Sequence, residues 1–71
     1  MPLSSVGSGC EVTLQAINWG PKIQQKLHDM GLTPGVKILV VSSDSNGAFI
    51  LNVRGSRIAI GKSMTHQIMV S

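Results

Sequence analysis

Seventy-one residues, 42% of them hydrophobic and 13% charged, with one cysteine, allow a single small domain (1–71) held by packing and exclude a disulfide-stapled secreted scaffold. The formal charge of +3 is scattered, and Trp19 and Phe49 are the only aromatics, a poor match to a nucleic-acid binder that stacks bases. No apolar run nears the roughly 20 residues that span a bilayer, and Met1–Ser5 lacks the basic-then-apolar order of a secretory signal, so a soluble cytoplasmic protein is expected.

Leu3 to Gly9 reads as a Ser/Gly-rich lead-in with Leu3 tucked against the body. Cys10 to Ile17 alternates, which predicts a half-buried strand with Cys10, Val12, Leu14 and Ala16 inward and Glu11, Thr13 and Gln15 outward. Pro21 suits the first position of a helix, where its missing N–H costs nothing. Ile23, Leu27 and Met30 then fall on one helical stripe. Gly31 is placed for the left-handed residue past the helix end, with Leu27 and Leu32 meeting across the cap.

Thr33-Pro34-Gly35 predicts a hard turn, since proline cannot continue a helix and restricts the residue before it. From Val36 to about Ser43 the β-branched apolar run reads as a strand near the core. Asn46-Gly47 is a strong hairpin signal. Ala48 to Val53 is the return strand, with Phe49, Leu51 and Val53 on one face. Arg54-Gly55-Ser56 turns the chain into a strand at Arg57–Ile60, Gly61 to Gln67 is expected as one irregular or 3₁₀ turn, and Ile68–Val70 closes as a short strand. Five short strands and one inserted helix favour a mainly β, closed or nearly closed small barrel.

Candidate chemistry is sparse. Gly55 to Ser63 superficially matches a phosphate-binding loop, but five residues separate its glycines where the motif needs four. Arg57–Ile60 also alternates as a strand. The available metal ligands, Cys10, Glu11, His28, Asp29 and His66, lack any diagnostic spacing. Cys10 fits better as a small core hydrophobe, His28 as a helix-end cation and His66 as a solvated turn residue. Three carboxylates dispersed over strand, helix and hairpin, in a domain with little room for a pocket of some 300 Å³, indicate a non-enzyme. Lys22, Lys26, Arg54, Arg57 and Lys62 form either a solvated face or a patch that docks an acidic partner.

Leu27-x-x-Met30-Gly31-Leu32-Thr33-Pro34-Gly35-x-x-Ile38-x-Val40-Val41, with Val53-Arg54-Gly55-Ser56-Arg57-Ile58-Ala59-Ile60 and Ile68-x-Val70, resembles the FeoA family of small cytosolic proteins of bacterial and archaeal ferrous-iron uptake. The resemblance implies a five-stranded Src-homology-3-like (SH3-like) barrel with a helix inserted after the first strand. It also implies an accessory role at the membrane transporter FeoB, which carries a cytosolic GTPase domain, and hence a place at the inner membrane through that partner. A similar domain ends some iron-dependent repressors; with its own Met1 and no helix-turn-helix region, this chain is expected to be the free-standing form.

Partner-binding candidates are Lys26, His28, Thr33, Pro34, Gly35, Arg54 and Arg57. No cofactor is required on this reading. The competing reading is a sensor that binds Fe²⁺ or Zn²⁺ through Cys10, His28, Asp29 or His66. A homodimer is left open, and the hairpin at Asp44–Gly47 lacks the proline often seen there in the family.

Overall fold

The computed structural model describes residues 1–43 and 47–71. The expected hairpin tip at Asp44-Ser45-Asn46 lies outside them. Among the described residues the elements run β1 (Glu11–Ile17), α1 (Pro21–Asp29), β2 (Lys37–Ser43), β3 (Ala48–Val53), β4 (Ser56–Gly61), α2 (Lys62–Thr65) and β5 (Ile68–Val70). The strands form one antiparallel sheet of order β4-β3-β2-β1-β5. This is the expected mainly β architecture with a helix after the first strand. Closure is incomplete, because β4 and β5 end the order without pairing to each other.

β1 makes the barrel by serving two neighbours. Its first residues pair with β2 (Glu11 with Leu39, Thr13 with Lys37), and from Leu14 onward it pairs with β5. The register shifts between Leu14 and Ala16, so Gln15 is an extra residue that bends the strand and reverses its alternation. Val12, Leu14 and Ile17 are therefore buried, while Ala16 is exposed. Two expectations fall with this bulge and with the later start of the strand: Ala16 does not face the core, and Cys10 precedes β1 as an exposed free thiol.

α1 begins at Pro21 with Gly20 as its extended N-cap. Gln24 pins the entry, its Nε2 donating to the carbonyls of Ile17 (3.2 Å) and Trp19 (2.8 Å). The helix stops as predicted. Gly31 takes φ +97°, Leu32 N–H donates to the Leu27 carbonyl (2.9 Å) and Gly31 N–H to that of His28 (2.9 Å). These two bonds are the paired closure of a Schellman cap. Leu27 and Leu32 are both fully buried and Ile23 packs against the core. Met30, placed on the same stripe by its spacing, is 44% exposed, because the helix ends at Asp29 and the chain has begun to turn away.

Thr33-Pro34-Gly35-Val36 is a tight turn with Val36 N–H donating to Thr33 (3.1 Å) and Gly35 at φ +90°; proline second and a left-handed glycine third define type II. Ile38 and Val40 of β2, Phe49, Leu51 and Val53 of β3, and Ile58 and Ile60 of β4 line the core from three strands, with Ile68 and Val70 of β5 closing it. The segment expected as an irregular or 3₁₀ turn is a single α-helical turn, Lys62–Thr65. It is steadied by the buried Thr65 hydroxyl donating to the Lys62 carbonyl. The lead-in contains a 3₁₀ turn at Leu3–Ser5 with Leu3 fully buried, as the sequence suggested.

Candidate docking surface

The β3–β4 connection is tighter than the sequence suggested. Val53 pairs with Ser56, leaving only Arg54 (φ +54°) and Gly55 (φ +82°) in the loop. Two consecutive left-handed residues give a type I′ turn, whose twist matches the strands it joins. Arginine is an unusual occupant of the first position, since a Cβ disfavours it. Asn52 compensates locally, its Oδ1 accepting from Gly55 N–H at 3.1 Å.

This hairpin lies at the same end of the molecule as the helix stop. A Cβ at Gly31 would sit 3.9 Å from Val53 Cγ1. On the outer side of the sheet the Gly35 turn and the Arg54-Gly55 turn border one open groove of about 500 Å³, floored by Leu39 and flanked by Glu11, Lys37 and Asn52. That volume exceeds the room expected in so small a domain. Its walls are mainly exposed side chains, however, so it is a surface trough rather than an enclosed pocket.

Strand register explains the trough's composition. Glu11 pairs with Leu39, Leu39 with Asn52, and Asn52 with Arg57, so these four form one outward row across β1, β2, β3 and β4. Leu39 remains 37% exposed in the middle of it. With Lys37 and Arg54 alongside, the trough sets one exposed leucine among polar groups, and its rim carries more cations than anions.

Of the predicted contact residues, Gly35 and Arg54 line this groove and Arg57 ends its central row. Pro34 is exposed beside Gly35, and Thr33 is half-buried in the same turn. Lys26 and His28 stand in the last turn of α1 and do not line the trough. The residues that sequence reasoning missed are Glu11, Lys37, Leu39 and Asn52. A signal for Leu39 existed: once Ile38 and Val40 face inward, the period of two forces Leu39 outward.

The proposed metal ligands are dispersed. Cys10 precedes β1, His28 is half-buried near the end of α1, and His66 is exposed after α2. Asp29 accepts from Gln25 Nε2 at 2.9 Å. Among the described residues no three His, Cys, Asp or Glu side chains come together to hold an ion. The glycine-flanked segment that superficially matched a phosphate loop is β4, with α2 of four residues after it. Among the described residues no helix is long and apolar enough to cross a membrane.

The FeoA domain family model matches residues 1–71. The chain belongs to the FeoA family. It is 38% identical over 69 residues to a protein of Methanocaldococcus jannaschii named "Putative Fe(2+) transport protein A", covering 97% of this chain and 83% of that one. A crystal structure of the iron uptake regulatory protein FeoA is 43% identical, with a TM-score of 0.91 over 99% of this chain and 93% of the other.

Stenotrophomonas maltophilia FeoA, described as a procaryotic SH3 domain protein and crystallised with zinc, is 17% identical. It has a TM-score of 0.84 over 100% of this chain and 89% of its own, and at that identity it shows the fold alone. The same fold occurs within a manganese-dependent transcriptional repressor, 15% identical with a TM-score of 0.90, the match covering 99% of this chain and 39% of that one. The SH3-like reading of the barrel therefore holds, and this FeoA chain is a member of a ferrous-iron transport family.

Proposed function

We propose that this FeoA protein is an accessory regulator of ferrous-iron uptake that docks on the cytosolic GTPase region of a FeoB-like transporter. It would thus work at the cytoplasmic side of the membrane through its partner, as a binder and not as an enzyme. The trough around Leu39 carries the proposal. An exposed leucine ringed by Lys37, Arg54 and Arg57 is what an acidic protein face with a protruding apolar side chain would complement. The last turn of α1, with Lys26 and His28, and the Thr33-Pro34-Gly35 turn extend the surface. Regulation follows if the protein prefers one state of the GTPase domain, since a binder with equal affinity for both states shifts nothing.

An amide NMR titration with the transporter's soluble GTPase domain, then anaerobically with Fe²⁺, tests this. Perturbations at Lys26–Gly35, at Lys37–Leu39 and at Arg54–Arg57 on adding the domain, and none from iron, are expected. A domain that leaves every amide unmoved would refute the docking. The metal-sensor reading draws on the zinc complex of the Stenotrophomonas maltophilia relative. Saturable iron-induced changes confined to Cys10, His28, Asp29 or His66 would establish it instead.

A further inference from the structure

The two edges of the sheet are finished differently. β5 is covered on its outer side by the start of the chain: Val70 N–H donates to the Met1 carbonyl (2.8 Å), the Met1 ammonium donates to the Val70 carbonyl (3.1 Å), and Pro2 bridges to Met69. β4 has no such cover among the described residues.

Its geometry can be read from the turn. Val53 and Ser56 close a two-residue loop, so they form a hydrogen-bonded pair and the alternation continues from there. Ser56, Ile58 and Ile60 therefore aim their backbone groups at β3, whereas Arg57 and Ala59 aim theirs away from the sheet. β4 pairs with β3 through six consecutive residues without a bulge and contains no proline, so it lacks two common devices that spoil an edge as a template. Arg57 and Ala59 are exposed.

We infer that the outer edge of β4 is a strand-addition site, and that it takes an extended, carboxylate-bearing segment of the protein partner as a sixth strand. The inference rests on the docking reading above and names the mode of contact. Main-chain bonds from Arg57 and Ala59 supply affinity in such pairing, and alternate side chains supply selectivity. Charge selects the occupant. Arg57 lies within the edge and Lys62 directly follows it. Two copies of this chain joined antiparallel through β4 with Arg57 facing Arg57 would set two guanidinium groups side by side. Opposite residues on paired strands bring their Cβ atoms within about 5 Å, where like charges repel and opposite charges attract. An Asp or Glu opposite Arg57 is thus favoured, and self-pairing in the register that faces Arg57 with its own copy is disfavoured.

Amide hydrogen exchange at Arg57 and Ala59 tests this on the full chain. The probes are the soluble GTPase domain and a synthetic peptide alternating glutamate and valine, with a lysine–valine peptide as control. The domain and the acidic peptide should each slow exchange at both amides roughly tenfold or more, and the basic peptide should not. Ala59→Pro removes an outward N–H without touching the β3 ladder, a position where proline is tolerated. It should lower affinity for both probes roughly tenfold. If the domain binds but leaves these two amides unprotected, the edge inference is overturned and the docking reading stands. If the domain does not bind, the docking reading falls and the acidic peptide decides the edge: protection upholds it, and none overturns it.

Discussion

Two left-handed residues mark where this FeoA chain must be what it is. Gly31 has room for a Cβ, its nearest neighbour being Val53 Cγ1 at 3.9 Å, so sterics with the core do not forbid a side chain there. The backbone does, at φ +97°. Gly31→Val should lower unfolding free energy by about 1–3 kcal/mol, read from urea denaturation; near-normal stability would refute the cap assignment. Arg54 is the converse case. It occupies φ +54°, a conformation asparagine accepts more readily. Arg54→Asn is expected to raise stability by roughly 0.5–1 kcal/mol while weakening GTPase-domain binding. That split would identify Arg54 as retained for contact at a cost to the fold. A variant both less stable and equally tight would show the opposite.

At the scale of elements, α1 is attached to the barrel by one face. Leu27 is 1% exposed and Met30 44%, although both sit on the stripe the sequence suggests. Leu27→Ala should cost about 2–5 kcal/mol through the cavity it leaves, and Met30→Lys should stay within roughly 0.5 kcal/mol of the parent. Thermal unfolding of the two variants checks the orientation of the helix, and equal losses would place Met30 in the core.

The same contrast shows what could be read from the chain. Helix stop, type II turn, β2, β3 and β5 were legible because glycine, proline and β-branched residues act locally. The bulge at Gln15 was not, since nothing in Thr13-Leu14-Gln15-Ala16 signals an extra residue; it arises where β1 passes from β2 to β5. That is why Ala16 faces outward against its alternation, whereas Cys10 is exposed because the strand starts only at Glu11. Of the candidate surface, the Thr33-Pro34-Gly35 turn and Arg54 are named by the sequence as contact candidates. Their union over Leu39 depends on strand register, which the sequence does not print.

At the scale of the whole molecule, net charge is the first property an approaching partner meets. The chain carries +3 overall, and among the described residues the rim of the trough sets Lys37, Arg54 and Arg57 against Glu11. Long-range attraction of an acidic partner acts on the rate of encounter more than on the lifetime of the complex, and salt screens it beyond about 8 Å at physiological ionic strength. Arg54→Glu with Arg57→Glu takes the formal charge from +3 to −1. Both side chains are exposed, and glutamate at position 54 meets the same left-handed backbone as arginine does, so thermal stability should shift little. Association with the GTPase domain should slow roughly tenfold or more at low salt, and its dependence on ionic strength should flatten or reverse. Stopped-flow association rates across a salt series give both readouts. If the doubly reversed protein associates at the parent rate with the parent salt slope, the cationic rim does not steer docking. What contact remains must then come from Leu39 and from the backbone of β4.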